Sequence, residues 1–371
     1  MAQQMPYLPN EVIFEILLRL PVKSIIKFKS VSKSWLSLLS SPRFINTHLN
    51  FSKDNHKNVP QKLLLLTPNQ NLSKKKYTIF SSVSETIVRV DLDYPVKSPS
   101  CVTRFIGSCD GLICLSVENS LILWNPSTRK WKKIPKEPIF MNQDYYCTYG
   151  FGYDEFNDDY KLILVYSSKI KNIGYNEVKV YSLKTNSWKG VKGFVKGYVY
   201  SNSGVFMNGI IHWDSRPHRD FNGDDSKIVY FNLESEKLGK LDLPSYDENE
   251  DVVWDLMSSK ESLFGFRHCE SQGAVDIWVM KKYGVKEFWT KFASVPYYVV
   301  PGIFDSSMFI NEDGEVLLID GERLVLFNTR NNIYKDLRIH IADTRRRIDM
   351  VTYNETLVSP LFDDKDGCEL W

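Results

Sequence analysis

Five stretches of this chain repeat one pattern: LILWNPSTRKW at 121–131, VKVYSLKTNSW at 178–188, IVYFNLESEKL at 228–238, VDIWVMKKYGVKEFW at 275–289 and LVLFNTRNNIY at 324–334. In each, an apolar run closes on an aromatic residue, a polar turn follows, and a bulky side chain opens the next run. The aligned aromatics Trp124, Tyr181, Phe231, Trp278 and Phe327 lie 57, 50, 47 and 49 residues apart. A recurrence near 50 residues points to a β-propeller, because one such unit cannot bury its own apolar face and must stack on its neighbours. A sandwich or barrel would need five hairpins to match by accident.

Each unit also has an upstream run: GLICLS (111–116), YKLILVY (160–166), GIIHW (209–213), SLFGFRH (262–268) and GEVLLID (314–320). Two upstream and two downstream strands make a four-stranded blade. Runs are left over at both ends, KLLLL (62–66), YTIF (77–80) and IVRVDL (87–92) against MVTYNETLVS (350–359). Pairing the last strand with the first removes exposed edges. The count is then about six blades, five within the repeat and one built from the two ends.

Before residue 50 the apolar period is helical. Wound at 100° per residue, LPNEVIFEILLRLP (8–21) spreads Val12, Ile16, Leu20, Ile13, Leu17, Phe14 and Leu18 over an arc of about 240°, where an ordinary surface helix shows about 100°. Glu11, Glu15 and Arg19 are left for water. Pro21 opens a second segment, with Val22, Ile25 and Ile26 on one face. A third carries Val31, Trp35, Leu38 and Leu39 on one stripe and stops near SSPRF (40–44), where Pro42 breaks the pattern. FSKDNHKNVP (51–60) is polar and turn-rich. The reading is multidomain, α followed by all-β: a three-helix unit over 1–50, a linker over 51–60 and a propeller-like domain over 61–371.

Two short helices cannot shield 240° of a third. Leaving three of Ile13, Phe14, Leu17 and Leu18 wet would forfeit about 1.5–3 kcal/mol each, comparable with the whole stability of a small domain. Either the propeller or a separate protein must cover the rest.

With 371 residues, 43% hydrophobic and 25% charged, the composition is that of a folded globular protein. A net charge of +2 gives no argument for nucleic acid or a membrane surface as partner. The runs KKK (74–76) and RRR (345–347) read as solvated loops. No stretch offers 18 uninterrupted apolar residues and the opening MAQQMPYLPNE has no export signal, so a cytoplasmic or nuclear location is expected.

The six cysteines, Cys101, Cys109, Cys114, Cys147, Cys269 and Cys368, form no C-x-x-C pair and read as free thiols, most of them small core residues. His212, Asp214 and His218 lie within seven residues, but His218 falls past Arg216 and Pro217, off the strand face that the other two share, so no metal site is assigned. No nucleophile elbow, P-loop, H-E-x-x-H or dinucleotide fingerprint is present. Acidic groups at 158–159, at 224–225 and at Glu248, Glu250 and Asp251 read as turn residues. No catalytic or cofactor-binding residue follows.

The segment LPNEVIFEILLRLPVKSIIKFKSVSKSWLSLLSSPRF (8–44) resembles an F-box: the opening L-P-x-E, the central R-L-P-V-K-S, the V-x-K-S-W and the closing S-S-P-x-F stand in order. The remainder resembles the kelch-like, type 1 F-box-associated β domain of plant proteins, among them S-locus F-box proteins. The traces are GSCDGLICL (107–115), LWNPSTRKWKKIP (123–135), GFGYDEFNDDYKL (150–162) and YNETLVSP (353–360).

The resemblance implies a non-catalytic substrate receptor of an SCF (Skp–cullin–F-box) ubiquitin ligase, its F-box docked on a Skp-type adaptor and its β domain holding a protein target. Carried over by position, Leu8, Pro9, Ile13, Ile16, Leu17, Leu20, Pro21, Ile25, Val31 and Trp35 touch or shape the adaptor site, with Ile16 and Trp35 equally suited to the F-box interior. Asn10 stands where an acidic residue is common, and Ser30 and Ser32 where cysteines are frequent; no apolar anchor is lost. The alternatives are an F-box scaffold without degradation activity, or a propeller enzyme for a carbohydrate or small molecule with the helices as a dimerisation handle. The long turns at 216–226 and 246–251 are the nominated target contacts.

Overall fold

The computed structural model describes residues 8–54, 62–67, 76–81, 90–92, 103–117, 120–137, 145–168, 175–196, 198–199, 203–216, 227–244, 253–259, 262–269, 272–299, 308–310, 314–320, 323–337 and 349–361. Four helices come first: α1 (Asn10–Leu18), α2 (Val22–Phe28), α3 (Lys33–Ser40) and α4 (Pro42–Asp54). α1 and α2 each start behind a proline, Pro9 and Pro21, whose ring fixes the φ that a helix entrance needs. α3 starts on Ser32, whose hydroxyl accepts the Trp35 N–H at 3.2 Å.

The fourth helix corrects the expectation of three. Pro42 does not end the pattern; it begins α4. The Ser41 hydroxyl accepts the Phe44 N–H at 3.3 Å, the Ser41 carbonyl accepts the Ile45 N–H at 3.1 Å, and a proline at the first helical position gives up no hydrogen bond. Residues 51–54 of the expected linker are therefore the last turn of α4, and 55–60 lie outside the described residues.

The described strands form six antiparallel sheets. Blade 1 joins the two ends of the domain, in the order Asp349–Tyr353, Lys62–Thr67, Lys76–Ser81, Val90–Leu92. Leu64 sits opposite Val351 and Lys62 opposite Tyr353 in that closing pair. The other five blades follow the repeat; four begin at Thr103–Cys109, Tyr145–Asp154, Val253–Ser259 and Met308–Ile310, and blade 4 begins at two short strands, Tyr198–Val199 and Val205–Met207, both paired with Ile210–Arg216.

One apolar cluster fills each gap around the ring. Leu64 packs with Ile113, Leu123 with Phe151, Ile163 with Trp213, Ile228 with Trp254, Phe266 with Phe327, and Leu317 with Leu63. The sixth cluster returns to blade 1, so the ring is closed by packing as well as by hydrogen bonds.

The repeated aromatics lie on the third strand of their blades, four of them facing the residue that opens the fourth strand: Trp124 opposite Trp131, Tyr181 opposite Trp188, Phe231 opposite Leu238 and Phe327 opposite Tyr334. The fourth unit departs from the sequence alignment. Trp289 sits opposite Met280, and Trp278 lies two residues upstream beside a bulge. Met280 is buried there while Trp278 is only partly covered.

Candidate docking surface

The helical unit has its own interior. Leu17, Leu18, Val22, Ile25, Leu39 and Phe44 are buried together, with Ile13, Phe14, Leu20, Ile26, Phe28, Trp35 and Leu38 packed partly against them. One further member comes from the far end of the chain: Leu357, beyond the last strand, is buried in the same cluster. Phe14 meets Phe44 edge-on with centroids 5.4 Å apart, and Phe28 meets Trp35 likewise at 5.6 Å. His48 of α4 lines the same interior, its Nε2 lying 3.0 Å from the Leu20 carbonyl. Burial holds its pKa below the usual histidine value, against the pull of that carbonyl.

The wide arc of α1 is thus divided. Leu17 and Ile25, at 1% and 0% exposure, belong to the interior and can shape a docking surface without touching a partner. Ile16, equally suited to the interior by sequence, is 48% exposed. With Leu8 at 54% and Val12 at 42% it forms a stripe of apolar residues four positions apart along α1 and its entrance. Pro9 and Pro21 are also exposed, Ile13, Leu20 and Trp35 are half-buried, and Val31, which precedes α3, is 62% exposed. Leu36, at 49%, was not singled out from the sequence. Arg19 and Glu15, which flank the stripe, pair at 3.1 Å with both side chains exposed and add little stability.

α4 faces both ways. Phe44 and His48 face the helical interior, while Ile45 and Leu49 pack against the cluster of blades 2 and 3 that contains Cys109, Phe151 and Tyr160. At its end, Lys53 pairs with Asp110 at 2.8 Å, and Asp110 accepts the Tyr160 hydroxyl at 3.1 Å. Lys23 reaches Glu355 at 3.9 Å, and Lys62 pairs with the same carboxylate. A cavity of about 230 Å³ lies in this joint, lined by α4, the turn at Asp110 and the segment after Tyr353.

Asp110 stands on the turn between the first and second strands of blade 2, which puts the helices on that face of the ring. The strands Ile210–Arg216, Lys227–Asn232, Lys237–Asp242 and Val253–Ser259, joined by the two nominated turns, meet those turns on the opposite face, because antiparallel neighbours alternate direction. The turns themselves, apart from Arg216, lie outside the described residues.

His212 is buried and fully engaged: its Nδ1 lies 3.2 Å from the Val205 carbonyl and its Nε2 lies 2.7 Å from the Tyr283 hydroxyl. Desolvation pushes its pKa down to about 4, so the ring is neutral at pH 7. Asp214 is buried on the same strand and His218 lies outside the described residues. Among the described residues, no three His, Cys, Asp or Glu side chains gather as a metal site. Cys109, Cys114 and Cys147 are free thiols, the first two buried. No helix among the described residues is long and apolar enough to cross a membrane.

A short helical unit with an exposed apolar stripe is thus fixed to one face of a closed β-propeller. Two family models match the chain, the F-box domain over residues 5–47 and the F-box associated beta propeller domain over residues 80–361. The chain belongs to the F-box proteins with an F-box associated β-propeller domain.

Its relatives in Arabidopsis thaliana include the F-box/kelch-repeat protein At3g23880, 28% identical over 95% of this chain and 96% of the relative. F-box protein CPR1 is 29% identical over 90% and 85%, and F-box protein At4g22390 is 30% identical over 78% and 74%. Among solved structures, an oligogalacturonate lyase from Vibrio parahaemolyticus aligns with 75% of this chain and 79% of its own at 12% identity and a TM-score of 0.44, too slight a likeness to carry function.

Proposed function

We propose that this protein is a non-catalytic substrate receptor of an SCF ubiquitin ligase, working in the cytoplasm or nucleus. Its F-box docks on a Skp-type adaptor, and through it on a cullin, while the propeller holds a protein target. The observation that carries this reading is the stripe Leu8, Val12 and Ile16. These residues stay 42–54% exposed in a row along one helix while Leu17, Leu18, Val22, Ile25, Leu39 and Phe44 fill the unit's interior, so the stripe is surface left for a partner. The target belongs on the face away from the helices, where the two nominated turns join their strands.

The test is calorimetry of the full chain with a Skp-type adaptor. Ile16→Asp leaves the circular dichroism spectrum unchanged and weakens binding by roughly 100-fold or more, since a charge is driven into a desolvated apolar contact. Glu15→Ala, on the polar strip, changes it by less than about threefold. A folded Ile16→Asp protein with wild-type affinity would overturn the docking surface.

A further inference from the structure

We propose that Leu357 is a positioning residue for the adaptor surface, so that the F-box is completed by the stretch that follows the propeller's closing strand. The inference rests on the docking reading above. It starts from the cluster that contains Leu17, Leu18, Val22, Ile25, Leu39 and Phe44, in which, among the described residues, Leu357 is the one buried member from outside the helices. Leu17 and Leu18 come from the same helix as the exposed stripe, so what packs against them sets how α1 presents Val12 and Ile16.

The segment that delivers Leu357 is held at nearly every residue. Glu355 pairs with Lys62 and Lys23. The Thr356 hydroxyl donates to the Asp110 carbonyl at 2.7 Å, and the Asn125 side-chain amide donates to the Thr356 and Val358 carbonyls at 3.1 and 2.7 Å. The next residue, Val358, is buried in the cluster of blades 2 and 3. Adjacent side chains, Leu357 and Val358, therefore enter two different interiors, one of the F-box and one of the propeller. The same fixings leave Leu357 little freedom to follow the helices if they move.

A unit of four short helices is marginal alone. If its interior loses one anchor, the fraction of molecules presenting the docking surface falls, and apparent affinity falls in proportion. No F-box motif residue needs to change for this to happen.

The experiment compares the full chain with Leu357→Asn and Leu357→Met, measuring adaptor affinity by calorimetry and backbone amide exchange by mass spectrometry. The expected result is a loss of roughly tenfold or more for Leu357→Asn and near-wild-type affinity for Leu357→Met. Exchange speeds up in α1–α3 for Leu357→Asn, while the closing strands Lys62–Thr67 and Asp349–Tyr353 keep their protection. Unchanged affinity and exchange in Leu357→Asn would overturn the inference. So would equal loss of protection in helices and closing strands, which would make Leu357 a general support of the ring. Failure of the wild-type chain to bind the adaptor would instead bring down the docking reading, and the inference with it.

Discussion

Single residues decide which part of α1 is free. Sequence marks all seven apolar positions of its arc alike; it cannot say that Leu17 turns inward and Ile16 outward, because the interior that Leu17 joins is built from four helices and from Leu357, more than 300 positions away. Leu17→Asp is accordingly expected to unfold the F-box and thereby lose the adaptor, with a visible loss of helical signal. Leu17→Ala is expected to cost about 2–5 kcal/mol through the cavity it leaves. His212 gives a pH test. Its folded pKa, about 4, lies below the ordinary 6.5, so the unfolded chain takes up the proton first as pH falls. Its contribution is intact above about pH 6.5 and drains away toward pH 4. Between pH 7 and 5 that amounts to about 2 kcal/mol. Denaturant titrations of wild type and His212→Gln at the two pH values should show a smaller acid loss in the variant by about that amount.

At the scale of elements, surroundings decide what a turn tolerates. Asp110–Gly111 and Asn208–Gly209 are the two-residue, positive-φ turns that such dipeptides favour between strands: φ is 49° and 79° in the first, 48° and 74° in the second. Sequence treats them as equals, but their surroundings differ. A Cβ on Gly209 meets nothing within 4 Å, whereas one on Gly111 falls 2.8 Å from the Asn354 carbonyl oxygen and 2.3 Å from the Thr356 hydroxyl. Gly209→Ala should therefore cost only the backbone strain, about 1–2 kcal/mol, and Gly111→Ala clearly more, since it also pushes the segment carrying Leu357. Thermal melts of the two variants side by side check the order. Ser41–Pro42 is a helix-start signal, but the same proline also reads as the end of α3, and that second meaning hides α4 in the sequence. An aromatic is the louder signal, so sequence alignment puts Trp278 where Met280 stands, and the longer turn that follows displaces the register by two residues.

For the whole molecule, the recurrence near 50 residues and the spare strands at both ends foretold the closed ring, since strands left without partners must find each other. The pairing of Lys62–Leu66 with Asp349–Tyr353 is that closure. Ending the chain before Asp349 should abolish the single cooperative melting transition, because blade 1 loses its inner strand and the clusters on both sides of it open; a truncated chain that still melts cooperatively would count against closure. What sequence did not disclose is that the F-box and ring share an interior. A cut after residue 48 falls inside α4 and strips Ile45 from the surface of blades 2 and 3, so the isolated ring should melt below the intact protein. The shared interior also sets an order in time. During synthesis the helices emerge first and Leu357 about 300 residues later, an interval of about 15–60 s at 5–20 residues per second. Throughout that interval a nascent chain displays every F-box motif without the side chain that joins its interior, and under the inference proposed above an adaptor meeting it would find a weaker partner than the finished protein.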